Sequence, residues 1–133
     1  MLDLILCIDD DPITLMLSKK VIAKTLFSEN IITLPNGEEA LNYFNKLKID
    51  DNEKVLLPKL IFLDLNMPVM SGWEFLDIFN TPEYDEFKDI KVIILSSTID
   101  PKDLDKAKTY PMVSDFLSKP ISLSMLDYLK NKT

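Results

Sequence analysis

The sequence predicts an α/β fold, a doubly wound parallel sheet of five strands alternating with helices, and three observations carry that expectation. Leu4–Ile8 and Leu60–Leu63 are apolar runs without polar alternation, the pattern of strands buried on both faces of a parallel sheet. Strand-like and helix-like stretches alternate five times within 133 residues, a length that fits one domain. Both apolar runs stop at acids, Asp9 and Asp10 in the first and Asp64 in the second. In open α/β sheets ligands bind at the carboxyl ends of the strands, so these acids are presented to a crevice.

Taken in order, the first strand, Leu4–Ile8, leads into Asp9, Asp10 and Asp11. Pro12 suits the first position of a helix capped by Asp11, with Ile13, Leu17, Val21, Ile22 and Leu26 forming an apolar face out to Phe27. Capping needs one acid, so Asp9 and Asp10 remain as excess negative charge that calls for a cation or a lysine. Ile31–Leu34 is a short second strand, and Asn36 followed by Glu39 opens a helix with Ala40, Phe44 and Leu47 inward. From Lys48 to Pro58 the chain is charged and irregular, an exposed loop too short to link domains.

The third strand delivers Asp64, and Pro68 and Gly72 mark an ordered turn after it. Trp73–Phe79 is a short helix with Trp73, Leu76 and Phe79 inward, broken by Asn80-Thr81-Pro82, and Pro82–Asp89 adds a helical turn. Lys91–Leu95 is the fourth strand and ends in Ser96, Ser97 and Thr98, hydroxyls able to donate to an anion. Asp100-Pro101 caps a helix whose apolar stripe is only Leu104, Ala107 and Tyr110, so it is expected to dock loosely. The fifth strand, Val113–Leu117, runs into Ser118-Lys119-Pro120, where proline admits a cis bond. A closing helix from Ser122 to about Lys130 turns Met125, Leu126 and Leu129 inward.

Composition narrows the chemistry. A formal charge of −7 argues against unassisted binding to nucleic acid or to an anionic membrane. No apolar run approaches the roughly 18 residues of a membrane span, and the N-terminus lacks the pattern of a secretory signal, so a cytoplasmic location is expected. All 15 basic residues are lysines, which leaves no guanidinium to clamp phosphate in bidentate fashion. Histidine is absent, which removes a Ser-His-Asp triad, His-ligated zinc and a phosphohistidine on this chain. The single Cys7 excludes an internal disulfide and reads as a small buried hydrophobe.

Four motifs in order, IDDDP at Ile8–Pro12, LDLNMPVMSG at Leu63–Gly72, VIILSS at Val92–Ser97 and SKP at Ser118–Pro120, closely resemble the receiver domain of two-component response regulators. The resemblance spans residues 1–133, so one receiver domain and no output domain are expected, and it implies a flavodoxin-like (βα)5 sheet of strand order 2-1-3-4-5. It implies that Asp64 is the phosphoacceptor, that Asp10 and Asp64 ligate Mg²⁺ with the backbone carbonyl of Asn66, and that Asp9 holds a metal-bound water. Oxygen-only ligation with retained waters is what Mg²⁺ prefers. Lys119 and Ser96 then contact the phosphoryl oxygens, and Ser96 with Phe116 forms the switch. By the same resemblance the donor is a partner histidine kinase or histidine phosphotransfer protein, and the output is a downstream protein target or onward relay.

Three features depart from the family's usual pattern: Ser96 stands for threonine, Ser97 for alanine, and Ser71 for an Asp or Asn. Phe116 also lacks the hydroxyl of a tyrosine, so a plain core role is an equal reading. The chain is expected to be a phosphoacceptor that assists its own phosphoryl transfer rather than a turnover enzyme. One rival is a Mg²⁺-dependent aspartyl-phosphate phosphatase of the haloacid dehalogenase type, which resembles a DxD motif that Asp64-Leu65-Asn66 lacks. The other is a receiver-like module that binds proteins without ever being phosphorylated.

Overall fold

The computed structural model describes residues 2–49, 56–67 and 70–132. Five strands, β1 (Leu2–Ile8), β2 (Ser28–Leu34), β3 (Leu60–Asp64), β4 (Lys91–Ser96) and β5 (Val113–Ser118), form one sheet in the order β2-β1-β3-β4-β5, every pair parallel. Helices α1 (Pro12–Lys24), α2 (Gly37–Ile49), α3 (Gly72–Phe79), α4 (Pro101–Ala107) and α5 (Leu123–Lys132) follow the strands in turn, and a 3-10 turn at Pro82–Phe87 precedes β4. The expected fold class and strand order are both found.

The unalternated runs are explained by two separate cores. Leu6, Ile8, Ile61, Leu63, Val92 and Ile94 pack with Phe44, Phe75 and Phe79 of α2 and α3. Their neighbours in sequence, Ile5, Cys7, Leu60, Phe62, Ile93 and Leu95, pack with Ile22 of α1 and with Leu126 and Leu129 of α5. Successive strand residues point to opposite faces, so a sheet covered on both sides needs apolar residues at every position. The 3-10 turn tucks Tyr84 and Phe87 into the first core, where Phe87 stacks on Phe79 at 6.2 Å and the Tyr84 hydroxyl donates to Asn45 at 2.8 Å.

Several expectations change. The first two strands begin earlier, at Leu2 and Ser28, because the register Leu2↔Ser28 recruits the polar Glu29 and Asn30 into an edge strand whose outward positions carry no apolar signal. Lys48 belongs to α2 rather than to a loop, and it pairs with Glu83 at 3.2 Å. The rest of the proposed loop over 50–55, and Pro68 of the proposed turn, lie outside the described residues. The largest correction concerns α1. Ile13, Leu17 and Leu26 are exposed; Ile22 is buried and Val21 partly so, as expected, and Ser18 and Leu15 join them against the sheet. Leu26 lies beyond the helix with φ +55°, so helical spacing does not apply to it.

Caps hold the helices where the strands end. Asp11 accepts from the Ile13 N–H at 3.0 Å, and Asn36 accepts from the Glu39 N–H at 2.8 Å. At α3 a capping box absent from the expectation joins Ser71 and Glu74 reciprocally, at 3.2 and 3.3 Å. Gly72 opens that helix against the end of β3, and its N–H donates to the Leu65 carbonyl at 2.9 Å. A Cβ at this position would lie 2.4 Å from the Asp64 carbonyl oxygen and 2.9 Å from Leu65 Cα. Both are backbone atoms and cannot swing aside. Gly72→Ala is therefore expected to cost about 1–3 kcal/mol, the usual range for overpacking, read as a lowered midpoint in urea with an unchanged slope.

Candidate functional site

Register brings the acids together. β1 and β3 pair with Ile8 opposite Leu63, so one further residue along each strand sets Asp9 beside Asp64. Both acids are buried, at 5% relative exposure each, whereas Asp10 is exposed at the mouth. One carboxylate oxygen from each of Asp9, Asp10 and Asp64 lies within 4.8 Å of the others. Asp11, the third acid of the run, is turned away into its cap, where its side chain also accepts from the Thr14 hydroxyl at 2.9 Å. The expected cap at Asp11 is thus found, and Asp9 and Asp10 lie with Asp64.

The answering charge comes from β5. The Lys119 ammonium donates to Asp9 Oδ2 at 2.6 Å and to Asp64 Oδ1 at 3.2 Å. Its backbone N–H is bonded to the Ser96 carbonyl at 2.8 Å, which ties the lysine to the end of β4. The Lys119–Pro120 peptide bond is cis. Asp9 uses its other oxygen to accept the Asp11 N–H at 3.0 Å, so both of its oxygens are engaged. Asp64 differs: Lys119 and the long contact from the Asn66 N–H, at 3.4 Å, both fall on Oδ1.

Charge and burial act together on these groups. Burial, and then the charge of Asp9, hold the Asp64 carboxyl above the usual aspartate range despite the opposing pull of Lys119. Burial would lower the Lys119 ammonium, but the hydrogen bond and charge of Asp9, joined by Asp64, carry it above the ordinary lysine value. The neighbouring Cys7 thiol is pushed up to about 12 by burial, with Asp9 adding to the shift.

Other candidates fall into place at different distances from the acids. Ser96 is buried at the end of β4, where its hydroxyl accepts only weakly from the Thr98 N–H at 3.4 Å. Ser97 and Thr98 are exposed. Asn66 is exposed beside Asp64. Phe116 is the outlier: it is paired with Ile94, partly buried, and lines a groove with Leu104 of α4 and Val113 of β5 rather than the acid cluster. A second cavity opens next to Lys119, lined by Thr14, Leu17, Ser97 and Pro120. Thr14 and Leu17 at this mouth were missed as site neighbours, because helical spacing assigned Leu17 to the core and nothing marked Thr14.

The donor set is all oxygen, hard and acidic, and no nitrogen or sulfur ligand joins it among the described residues. That chemistry fits Mg²⁺ or a similar hard divalent cation and does not fit zinc or copper. No helix among the described residues is long and apolar enough to cross a membrane.

Comparison with known proteins agrees with this geometry. Residues 5–129 match the response regulator receiver domain family. A two-component response regulator from Cytophaga hutchinsonii has a crystal structure with a TM-score of 0.86 to this chain at 34% identity, covering 98% of this chain and 96% of that one. The probable methanogenesis regulatory protein FilR2 of Methanothrix harundinacea is 28% identical over 123 residues, 92% of this chain and 76% of the relative. The Mn(2+)-bound form of response regulator Rcp1 has a TM-score of 0.70 at 25% identity, covering 96% of this chain and 88% of that one. With nearly the whole sequence matched and all five strands in the expected order, the chain belongs to the response regulator receiver domain family.

Proposed function

We propose that this receiver accepts one phosphoryl group on Asp64 from the phosphohistidine of a partner kinase or phosphotransfer protein, in a Mg²⁺-dependent reaction. The observation that supports this most is the Lys119 ammonium 3.2 Å from Asp64 Oδ1, with Oδ2 left outside both contacts. Oδ2 is the oxygen in position to attack. As its bond to phosphorus forms, the bond from phosphorus to the donor imidazole breaks, and the imidazole keeps the electron pair and takes up a proton. Lys119 stabilises the charge on a transferring oxygen, and the Ser96 hydroxyl exchanges its weak Thr98 contact for another.

By the family resemblance, Asp10 and Asp64, with the Asn66 carbonyl, would ligate Mg²⁺, and Asp9 would hold it through water. Bound there, the ion supplies positive charge to the transferring oxygens. A receiver of the same family, Rcp1, has been obtained in a Mn(2+)-bound form. The donor is external, since the chain has no histidine. The chain is then a phosphoacceptor rather than a turnover enzyme. The output runs through the groove of Leu104, Val113 and Phe116 to a protein target or passes onward to another carrier.

A small phosphodonor with Mg²⁺ is expected to add one phosphoryl group to the wild type and none to Asp64→Asn, read by intact mass. A wild type that gains nothing under conditions that label other receivers sinks the proposal, and sustained release of phosphate over many turnovers points to a phosphatase.

Without metal, three carboxylates face a single ammonium, so the site holds like charges together at a cost in stability. Asp64→Asn is therefore expected to stabilise the metal-free protein at pH 7 by about 0.5–2 kcal/mol while abolishing the adduct. The folded-state pKa of Asp64 is raised, so its protonated form is favoured by folding. That stabilisation is present below the ordinary value of 3.8 and is lost as pH climbs through the raised one. The advantage of Asp64→Asn should accordingly vanish in acid and grow as pH rises, in urea titrations across that range.

A further inference from the structure

Outside the acid site, a second set of side chains ties α4 to α3 at one end only. The single tryptophan, Trp73, sits in the first turn of α3. Tyr110, just beyond α4, stacks on it with ring centroids 5.8 Å apart and planes 23° from parallel. The Tyr110 hydroxyl donates to Asp77 Oδ1 at 2.5 Å, one turn along α3 from Trp73. From the last turn of α4 the Lys106 ammonium lies 4.6 Å from the centre of the Trp73 ring. Stacking, a charge-assisted hydrogen bond and a cation over an aromatic face thus converge on one patch of α3.

Among the described residues, the other end of α4 has no such anchor. Ser97, Thr98, Ile99 and Asp100 are exposed, as are Pro101 and Lys102, whereas Ala107, Tyr110 and Met112 are buried. Ala107 is the only buried residue of the helix itself. The link from this end back to the acid site is the weak bond from Thr98 N–H to Ser96. The fully buried residues thus lie at the end beside Trp73, with Asp103 and Leu104 partly buried and Asp105 and Lys106 exposed between.

We propose that Trp73, Asp77, Tyr110 and Lys106 form a clamp that fixes the C-terminal end of α4 to α3 and leaves the end beside Ser96 free to swing. A displacement of Ser96–Thr98 then moves Leu104 relative to Val113 and Phe116 while Ala107 and Tyr110 stay in place. The groove between α4 and β5 opens or closes from one side, as a hinged strip does, instead of translating as a body. The clamp stands on the contacts of the unmodified protein; only its use in signalling rests on the proposed phosphorylation.

The experiment places nitroxide labels on paired cysteines, one at Lys19→Cys on α1 and the other at either Lys102→Cys or Lys108→Cys; the buried Cys7 is out of reach of the reagent. In the free protein the distance distribution to position 102 should be about twofold broader than that to position 108. Adding Lys106→Met and Tyr110→Phe, each close in size to the original, should broaden the second to match the first. Addition of Mg²⁺ with beryllofluoride should shift the distance to 102 and leave that to 108 in place. Equal widths in the free wild type, or no effect of the paired substitutions, overturns the clamp whether or not Asp64 is ever phosphorylated. A clamp that passes in the free protein beside a wild type that takes up no phosphoryl group overturns the functional reading alone.

Discussion

The bridge from Lys119 to Asp9 and Asp64 is the interaction on which the rest depends. It spans three strands that are far apart in sequence, at 2.6 and 3.2 Å, and brings the ends of β1, β3 and β5 to one point. Remove the ammonium and two buried carboxylates face each other without an answering charge, the situation in which proteins lose stability or take up protons. The bridge is nevertheless incomplete, because one positive charge meets three negative ones. That imbalance is what makes the site receptive to a cation, and burial, joined by the charge of Asp9, is what raises the Asp64 pKa. Sites of this kind trade folding stability for chemistry.

Everything beneath the bridge serves to hold its geometry. The Ile8↔Leu63 pairing is backed by two cores that alternate residue by residue, so a slip of one position would exchange them completely and separate Asp9 from Asp64. Gly72 contributes from the other side, since only a residue without a side chain lets α3 begin so near the Asp64 carbonyl. The acid site is thus rigid where it meets the sheet. Where it meets the start of α4, the hydrogen bond to the Ser96 hydroxyl is the long one from the Thr98 N–H.

Much of this was legible in the sequence, and for a common reason. Apolar runs that end in charge, and caps such as Asp11 and Asn36, are local signals whose physics does not depend on distant partners. The five strands, the acid cluster and the lysine that answers it could be found from them. What could not be found depended on distant partners. Ile13 and Leu17 keep helical spacing, yet the helix turns Ser18 and Ile22 to the sheet, and only the packing of α1 against β1 decides that. The start of β2 at Ser28 follows from pairing with β1, and the clamp on Trp73 joins residues from two helices and a loop. Gly72 read as a turn marker, while its reason for being glycine is a backbone 2.4 Å from its would-be Cβ.

Cys7 adds a final consequence. It lies two residues before Asp9 on β1, an inner strand of the sheet, is 3% exposed, and its thiol is pushed up to about 12 by burial. Oxidants and electrophiles attack the thiolate, and at neutral pH this thiol is almost wholly protonated as well as shielded. The chain's single sulfhydryl is therefore inert beside its most reactive carboxylates. Peroxide or disulfide stress that would rewrite an exposed cysteine does not reach the thiol of this strand.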